Sequence, residues 1–290
     1  MRTARSRRGM SVVPGHSALR AALFAALFAS LMAACVPGFQ PKKFHTNPDL
    51  FGASLAEYNK KHWDNAITGF ERLTLDLSAR DTLLPRAHWF LAMSHEQKGE
   101  HLLAATSFLR LAETFPDDSL AGGALLAAGN SYASLWRDPG LDPTYGTMAQ
   151  SEYRLLVSIY PDSPLRERAQ QALAQIDDKF ATKDYETAMQ YVRRRAFDSA
   201  LIYFKDVVKN YPNSFRVRDA LMRMVEVYRM PVMNYQDEAK ETCITLRTAY
   251  AGDAEVATLC PPPPAAADSA AKPVKPVKPN KPVKPVEPAR

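Results

Sequence analysis

From residue 48 to about 252 the apolar positions recur three and four apart, and no stretch alternates with period two for long enough to suggest a sheet. One unit repeats within that pattern. Ala66 is followed four residues later by Phe70, Ala104 by Phe108, Ala149 by Tyr153 and Ala200 by Phe204. Ala239 and Cys243 repeat the small-then-larger spacing. Seven residues after each of the four aromatics stands another apolar residue: Leu77, Phe115, Tyr160 and Tyr211. The last three are followed directly by Pro116, Pro161 and Pro212. A small residue and a large one four apart share a helix face, and proline closes the helix behind them.

This is the second-helix half of a tetratricopeptide signature. It predicts an all-α, tetratricopeptide-like superhelical solenoid of about five helix pairs over residues 48–252. In the first pair Phe51, Leu55 and Tyr58 space the first helix, His62-Trp63-Asp64 turns it, and 66–77 returns. The second pair opens at Pro85 and turns at Gly99, with 104–115 returning. The third has 124–135, an insertion at 137–145, and the helix carrying Ala149. The fourth starts with 165–180, either ending there or running on through 185–194, and pairs with 200–211. The fifth is 217–229 with 236–250. Successive marker alanines lie 38, 45, 51 and 39 residues apart, above the ideal 34, which indicates long helices and irregular loops. Stacked helix pairs of this kind build a surface that binds peptides or partner proteins far more often than it catalyses.

Both ends of the chain differ from the array. Residues 1–34 hold five arginines and no acid, and the apolar run 21–34 is too short to span a bilayer but suits a signal peptide. Ala33 and Ala34 before Cys35 resemble a bacterial lipobox, so Cys35 is the expected lipidation site, with 35–47 as a tether. Val36 after the cysteine points to the outer membrane. At the other end, 253–290 reads as a disordered tail in which proline falls at every third residue from Pro273 to Pro288, five of the six preceded by lysine. Such a polyproline II arm is either a solvated spacer or a cationic arm for anionic lipid or cell-wall polymer. The two ends carry the excess positive charge behind the net +6, and the middle is mildly acidic. The basic balance therefore gives no reason to expect nucleic acid as a partner.

Candidate chemistry is sparse. His62, His88, His95 and His101 fall in the first two pairs, without the cysteines or acids that metal-ligand spacing requires, so they read as exposed or groove-lining. The chain has no G-x-S-x-G, H-E-x-x-H or C-x-x-C motif and no phosphate-cradling glycine loop. No catalytic residue, metal or cofactor is expected. Arg193-Arg194-Arg195 sits at a helix end, either solvated there or touching a partner. With Cys35 acylated, Cys243 and Cys260 remain as an even pair in an oxidising compartment. They form a disulfide, or Cys243 stays a free thiol in the core position that phenylalanine fills elsewhere.

Two stretches carry a family resemblance: R-D-P…Y-R-L-L-V-S-I-Y-P-D-S-P over 137–164, and R-R-A-F-D-S-A-L-I-Y-F-K-D-V-V-K-N-Y-P-N-S…R-D-A-L over 194–221. With the lipobox and the helix pairs they resemble the BamD family of outer-membrane assembly lipoproteins. The resemblance covers about 48–250 and leaves the lysine-proline tail outside it. It implies a non-enzymatic, lipid-anchored protein on the periplasmic face of the outer membrane. The implied partners are a BamA-like β-barrel insertase, other lipoproteins of the assembly complex and unfolded outer-membrane proteins. Carried over by position, Phe51, Leu55, Tyr58, Trp89, Met93 and Asn130 would line a groove for a substrate peptide, and Arg218 and Asp219 would dock the insertase. Another periplasmic tetratricopeptide lipoprotein, serving cell-wall synthesis or pilus assembly, is the alternative.

Overall fold

A computed structural model describes residues 39–262, so Cys35, the signal segment and the lysine-proline repeat lie outside the described residues. Among these residues every regular element is helical. The chain divides into two compact units that meet at Ile176 and Asp177. The first contains α1 (Asn47–Asn59), α2 (Trp63–Asp76), α3 (Leu84–Lys98), α4 (His101–Thr114), α5 (Ala121–Leu135) and α6 (Thr144–Ile159). It also holds the start of the 28-residue α7 (Arg166–Arg193). The second contains the rest of α7, then α8 (Phe197–Asn210), α9 (Arg216–Tyr228), α10 (Gln236–Ala249) and α11 (Ala254–Leu259). Within each unit, helices adjacent in the chain pack on one another, as stacked helix pairs do.

The repeat signature is the core. Ala66, Ala104, Ala149, Ala200 and Ala239 are buried, as are Phe70, Phe108, Tyr153, Phe204 and Cys243 four residues on. Three residues further, Leu73, Leu111, Leu156, Val207 and Leu246 are buried as well, which completes one apolar stripe per second helix. The small residue lets the neighbouring helix approach, and the large one fills the gap beyond it. Leu77, Phe115, Tyr160, Tyr211 and Tyr250 are the C-caps of these helices, where the backbone leaves the helical region.

The turn inside each pair has its own register. Four of the marker alanines are preceded, five residues earlier, by a left-handed residue: Lys61 (φ 62°), Gly99 (φ 85°), Arg195 (φ 59°) and Asn234 (φ 52°). At Arg195 the geometry lets Arg195 N–H donate to Val192 C=O and Ala196 N–H to Tyr191 C=O, satisfying carbonyls at the helix end. Only glycine and, to a lesser degree, asparagine adopt this conformation without strain. Lys61→Gly and Arg195→Gly are therefore expected to stabilise their turns by about 0.5–1 kcal/mol each, read as a higher midpoint in thermal or urea melts. In the third pair the inserted loop replaces this turn. Trp136, buried, folds against Gly146, where a Cβ would run into the indole ring.

Of the two alternatives for the fourth pair, the continuous helix holds: it opens with α7. Three expectations are corrected. The first turn is Lys60–Lys61–His62, and Trp63 already begins α2, because the left-handed residue falls at Lys61. Packing begins before residue 48: Phe39 and Phe44, flanking the 3₁₀ turn Pro41–Lys43, sit against the first core. It also runs past residue 252. Asp253 caps α11 by accepting from the N–H groups of Glu255 and Val256, and buried Val256 and Cys260 join the second core.

Candidate docking surfaces

In the first unit the six groove candidates are distributed over α1, α3 and α5. Phe51 is only 6 % exposed. It packs edge-on against Phe70 (5.6 Å) and Phe90 (6.0 Å), and the Arg86 guanidinium lies 5.1 Å above its ring. Phe51 is thus a floor residue and offers no open face. Leu55 and Tyr58 are half-buried against the same cluster, Tyr58 edge-on to Trp63 (5.3 Å) and Phe90 (5.5 Å). Trp89 is half-buried against Phe108 (5.2 Å), and Met93 is half-buried one helical turn on. Asn130 is exposed and accepts from the Tyr153 hydroxyl at 2.9 Å. Four half-buried apolar or aromatic side chains and one exposed amide remain available to a peptide.

Three of the four candidate histidines, His62, His95 and His101, are committed to the turns. His62 Nδ1 lies 2.9 Å from Glu57, which also accepts from Asn65 (2.7 Å). The Asn65 amide, with His62 and Lys60, holds the Glu57 carboxyl down to about 2. His95 pairs with Glu100 (2.7 Å), and Lys98 bridges Glu100 and Asp64 at 2.7 Å each. His101 pairs with Glu96 (3.1 Å), which also accepts from the Ser131 hydroxyl on α5. His88 and His95 are buried, contrary to the expectation of exposed or groove-lining side chains. Burial, with a smaller effect from Arg110, pushes the His88 imidazole down, so it stays neutral. Among the described residues no group of three or more His, Cys, Asp or Glu side chains is placed to hold a metal ion.

The second unit carries a cleft of about 760 Å³ lined by α9, α11 and Tyr185 of α7. Arg218 stands in its wall. Its guanidinium donates to both Asp253 oxygens (2.7 and 3.0 Å) and to Glu255 (2.6 Å), with Asp219 at 3.3 Å. Arg218, then the Val256 N–H, holds the Asp253 carboxyl down to about 2. Asp219 also meets Arg216 (3.4 Å), whose guanidinium lies 4.9 Å from the Tyr185 ring centre. Arg229 donates to the Leu259 carbonyl (2.6 Å) and to Cys243 Sγ (3.3 Å). Cys243 and Cys260 are bonded as a disulfide, with Cα atoms 5.3 Å apart. Arg218 is therefore three-quarters covered and already paired within its own unit. Sequence reasoning missed Asp253, Glu255 and Arg229. The signal present for the first two was an aspartate directly before a run of helix formers. Arg193, Arg194 and Arg195 are all exposed, at the end of α7 and in the turn that follows it.

One carboxylate of this unit titrates near neutrality. Burial, then the Asp206 charge, raises Asp184 to about 6. Because the folded-state value lies above the unfolded one, the native state binds the extra proton between about pH 4 and 6, and stability falls as pH rises through that window. Asp184→Asn is expected to stabilise the protein by about 1 kcal/mol at pH 8, allowing for partial solvent screening, and to do nothing at pH 4. Urea melts of both proteins at the two pH values check this.

Residues 45–243 match the family described as outer membrane lipoprotein, YfiO. The chain is 31% identical over 88 residues to the outer membrane protein assembly factor BamD of Vibrio cholerae serotype O1. That match spans 30% of this chain and 36% of the relative, well under two thirds of its length. Among solved structures, the P58(IPK) TPR domain is 16% identical with a TM-score of 0.40, over 70% of this chain and 51% of that one. The thermophilic TPR protein TTC0263 of Thermus thermophilus is 17% identical with a TM-score of 0.33, over 73% and 96%. No helix among the described residues is long and apolar enough to cross a membrane. With the family's pattern running through most of the chain, from the first helix to Cys243 in α10, this protein belongs to the YfiO family of outer membrane lipoproteins, the family of the assembly factor BamD.

Proposed function

We propose that this protein is a non-enzymatic scaffold of outer-membrane β-barrel assembly, anchored by lipid on Cys35 at the periplasmic face. The observation that carries the reading is the family match over 45–243, which takes in both units. Two or more acyl chains on Cys35 suffice for stable anchoring, since each buried CH₂ contributes about 0.8 kcal/mol.

Leu55, Tyr58, Trp89, Met93 and Asn130 receive a segment of an unfolded outer-membrane protein, with Phe51 supporting them from below. Burying one aromatic side chain of such a segment contributes about 1.5–3 kcal/mol, and Asn130 offers a polar contact to its backbone. Arg218 and Asp219 belong to the surface that docks a BamA-like insertase and the other lipoproteins of the complex. Since Arg218 is held by Asp253 and Glu255, the partner meets its remaining exposed edge and the cleft beside it.

A photo-crosslinking residue in place of Met93 tests the substrate half of this reading. It is expected to capture an unfolded barrel protein added to the purified chain, with Trp89→Asp abolishing the adduct. Equal capture in the Trp89→Asp variant would contradict a site on these helices. Cys35→Ser is expected to release the protein from membranes into the soluble fraction, and retention would contradict the anchor.

A further inference from the structure

The first unit holds a second apolar groove, whose walls come from helices other than those assigned to substrate. It has a volume of about 300 Å³ and lies between α4 and α6 over a floor from α5. Leu109, Leu125, Leu155 and Ile159 supply its apolar surface, and Glu113 and Glu152 stand within it. One end is closed by Tyr160, whose hydroxyl donates to the Pro116 carbonyl at 2.6 Å. Leu155 and Ile159 are 41 % and 54 % exposed, which is unusual for aliphatic side chains aligned along one helix face. With Met148 and Glu152 they follow one another four, three and four residues apart, so α6 presents a continuous stripe.

The two carboxylates make this groove selective. Glu152 is half-buried, and burial, then the Glu113 charge, raises its proton affinity. Among the described residues neither glutamate forms an ion pair with a cation; burial first, then the charges of Glu152, Tyr145 and Glu113, raises the Tyr132 phenol, so it stays neutral. Two like charges sharing an apolar groove disfavour one another, and a cation placed between them relieves both the repulsion and the desolvation. An uncharged or acidic occupant would bury Glu152 without compensation.

We propose that the groove between α4 and α6 is a docking site for a helical segment of a partner protein that presents one lysine or arginine among aliphatic side chains. The aliphatic side chains cover Leu155 and Ile159, and the cation sits between Glu113 and Glu152. Charge complementarity fixes the register of the segment and rejects acidic competitors. The site shares α5 with the substrate face on α1, α3 and α5 but none of its lining residues, so either can fail while the other stands.

The test uses the full chain and two fluorescein-labelled helical peptides of about four turns. Both carry leucines four and seven residues from a central position on one face; that position is lysine in one peptide and glutamate in the other. Fluorescence anisotropy is expected to show saturable binding of the lysine peptide and at least about tenfold weaker binding of the glutamate peptide. Glu152→Lys and Ile159→Asp should each weaken the lysine peptide at least about tenfold, Glu152→Gln by less, and Leu75→Asp on α2 not at all. Circular dichroism confirms that each variant keeps its helix content, and Glu152→Gln decides the matter if Glu152→Lys does not fold. Equal affinity for the two peptides, indifference to the groove variants, or no saturation by the lysine peptide would overturn the proposal. Self-association abolished by Ile159→Asp, seen in sedimentation without peptide binding, would assign the groove to a second copy of this chain and overturn it too.

Discussion

Phe204→Ala should destabilise the second unit by about 3–5 kcal/mol, the largest effect expected of any single truncation on α8. Phe204 is 0 % exposed and packs with Ala200, Val207 and the Tyr185 ring, 5.6 Å away on α7. Deleting its ring removes the transfer free energy of the buried atoms and leaves a cavity between α7, α8 and α9 that rigid helices fill only in part. Ile202, two residues earlier and 60 % exposed, is the internal control: Ile202→Ala should stay within about 0.5 kcal/mol of the parent. Hydrogen exchange read by mass spectrometry localises the effect, with protection lost in α8–α10 for Phe204→Ala and unchanged for Ile202→Ala. An equal response of the two variants would mean that the repeat position does not organise this core.

The second large effect concerns α11. A six-residue helix cannot persist alone, since nucleation is unfavourable and few internal hydrogen bonds repay it. Here it is held by the Cys243–Cys260 disulfide, by Arg218 on Asp253 and Glu255, by Arg229 on the Leu259 carbonyl, and by buried Val256. The bridge spans 17 residues, for which the chain-entropy account gives about 3 kcal/mol. Cys260→Ser should therefore remove most of the protection of α11 and leave that of α8 intact. The Arg218–Asp253 contact adds a pH dependence of definite sign. Asp253 is depressed to about 2, so its contribution is complete above about pH 4 and is lost as pH falls toward 2. Acidification to pH 3 should loosen α11 in Cys260→Ser more than in the bridged protein.

The helix pairs were legible because each second helix spends its marker alanine, aromatic and following aliphatic on one buried stripe, and that spacing survives in a bare sequence. Their C-terminal boundaries were legible because Pro116, Pro161 and Pro212 cannot continue a helix. The turns were less so. Lys61 and Arg195 take the left-handed conformation that Gly99 advertises, and nothing in a lysine or arginine signals it. Composition misled at both edges of the fold. Phe39 and Phe44 sit among turn formers, and α11 stands just before a proline-rich stretch, yet tertiary contacts order both. Among the site residues, Phe51 shares its periodicity with Leu55 and Tyr58, but periodicity cannot say which member of a stripe faces the neighbouring helix. The partners of Arg218 lie 35 and 37 residues away, across an intervening helix, beyond any local pattern. The α4–α6 groove joins residues from three helices, and only the stripe along α6 has a linear signature.

The central claim is that this chain scaffolds β-barrel assembly, and the most direct measurement is to solubilise native membranes in mild detergent, pull on the chain and weigh what co-purifies. A stoichiometric β-barrel partner with periplasmic repeat domains should be recovered, and in smaller amount when the Arg218–Asp219 surface is altered. Recovery of cell-wall enzymes or pilus components without that barrel would contradict it.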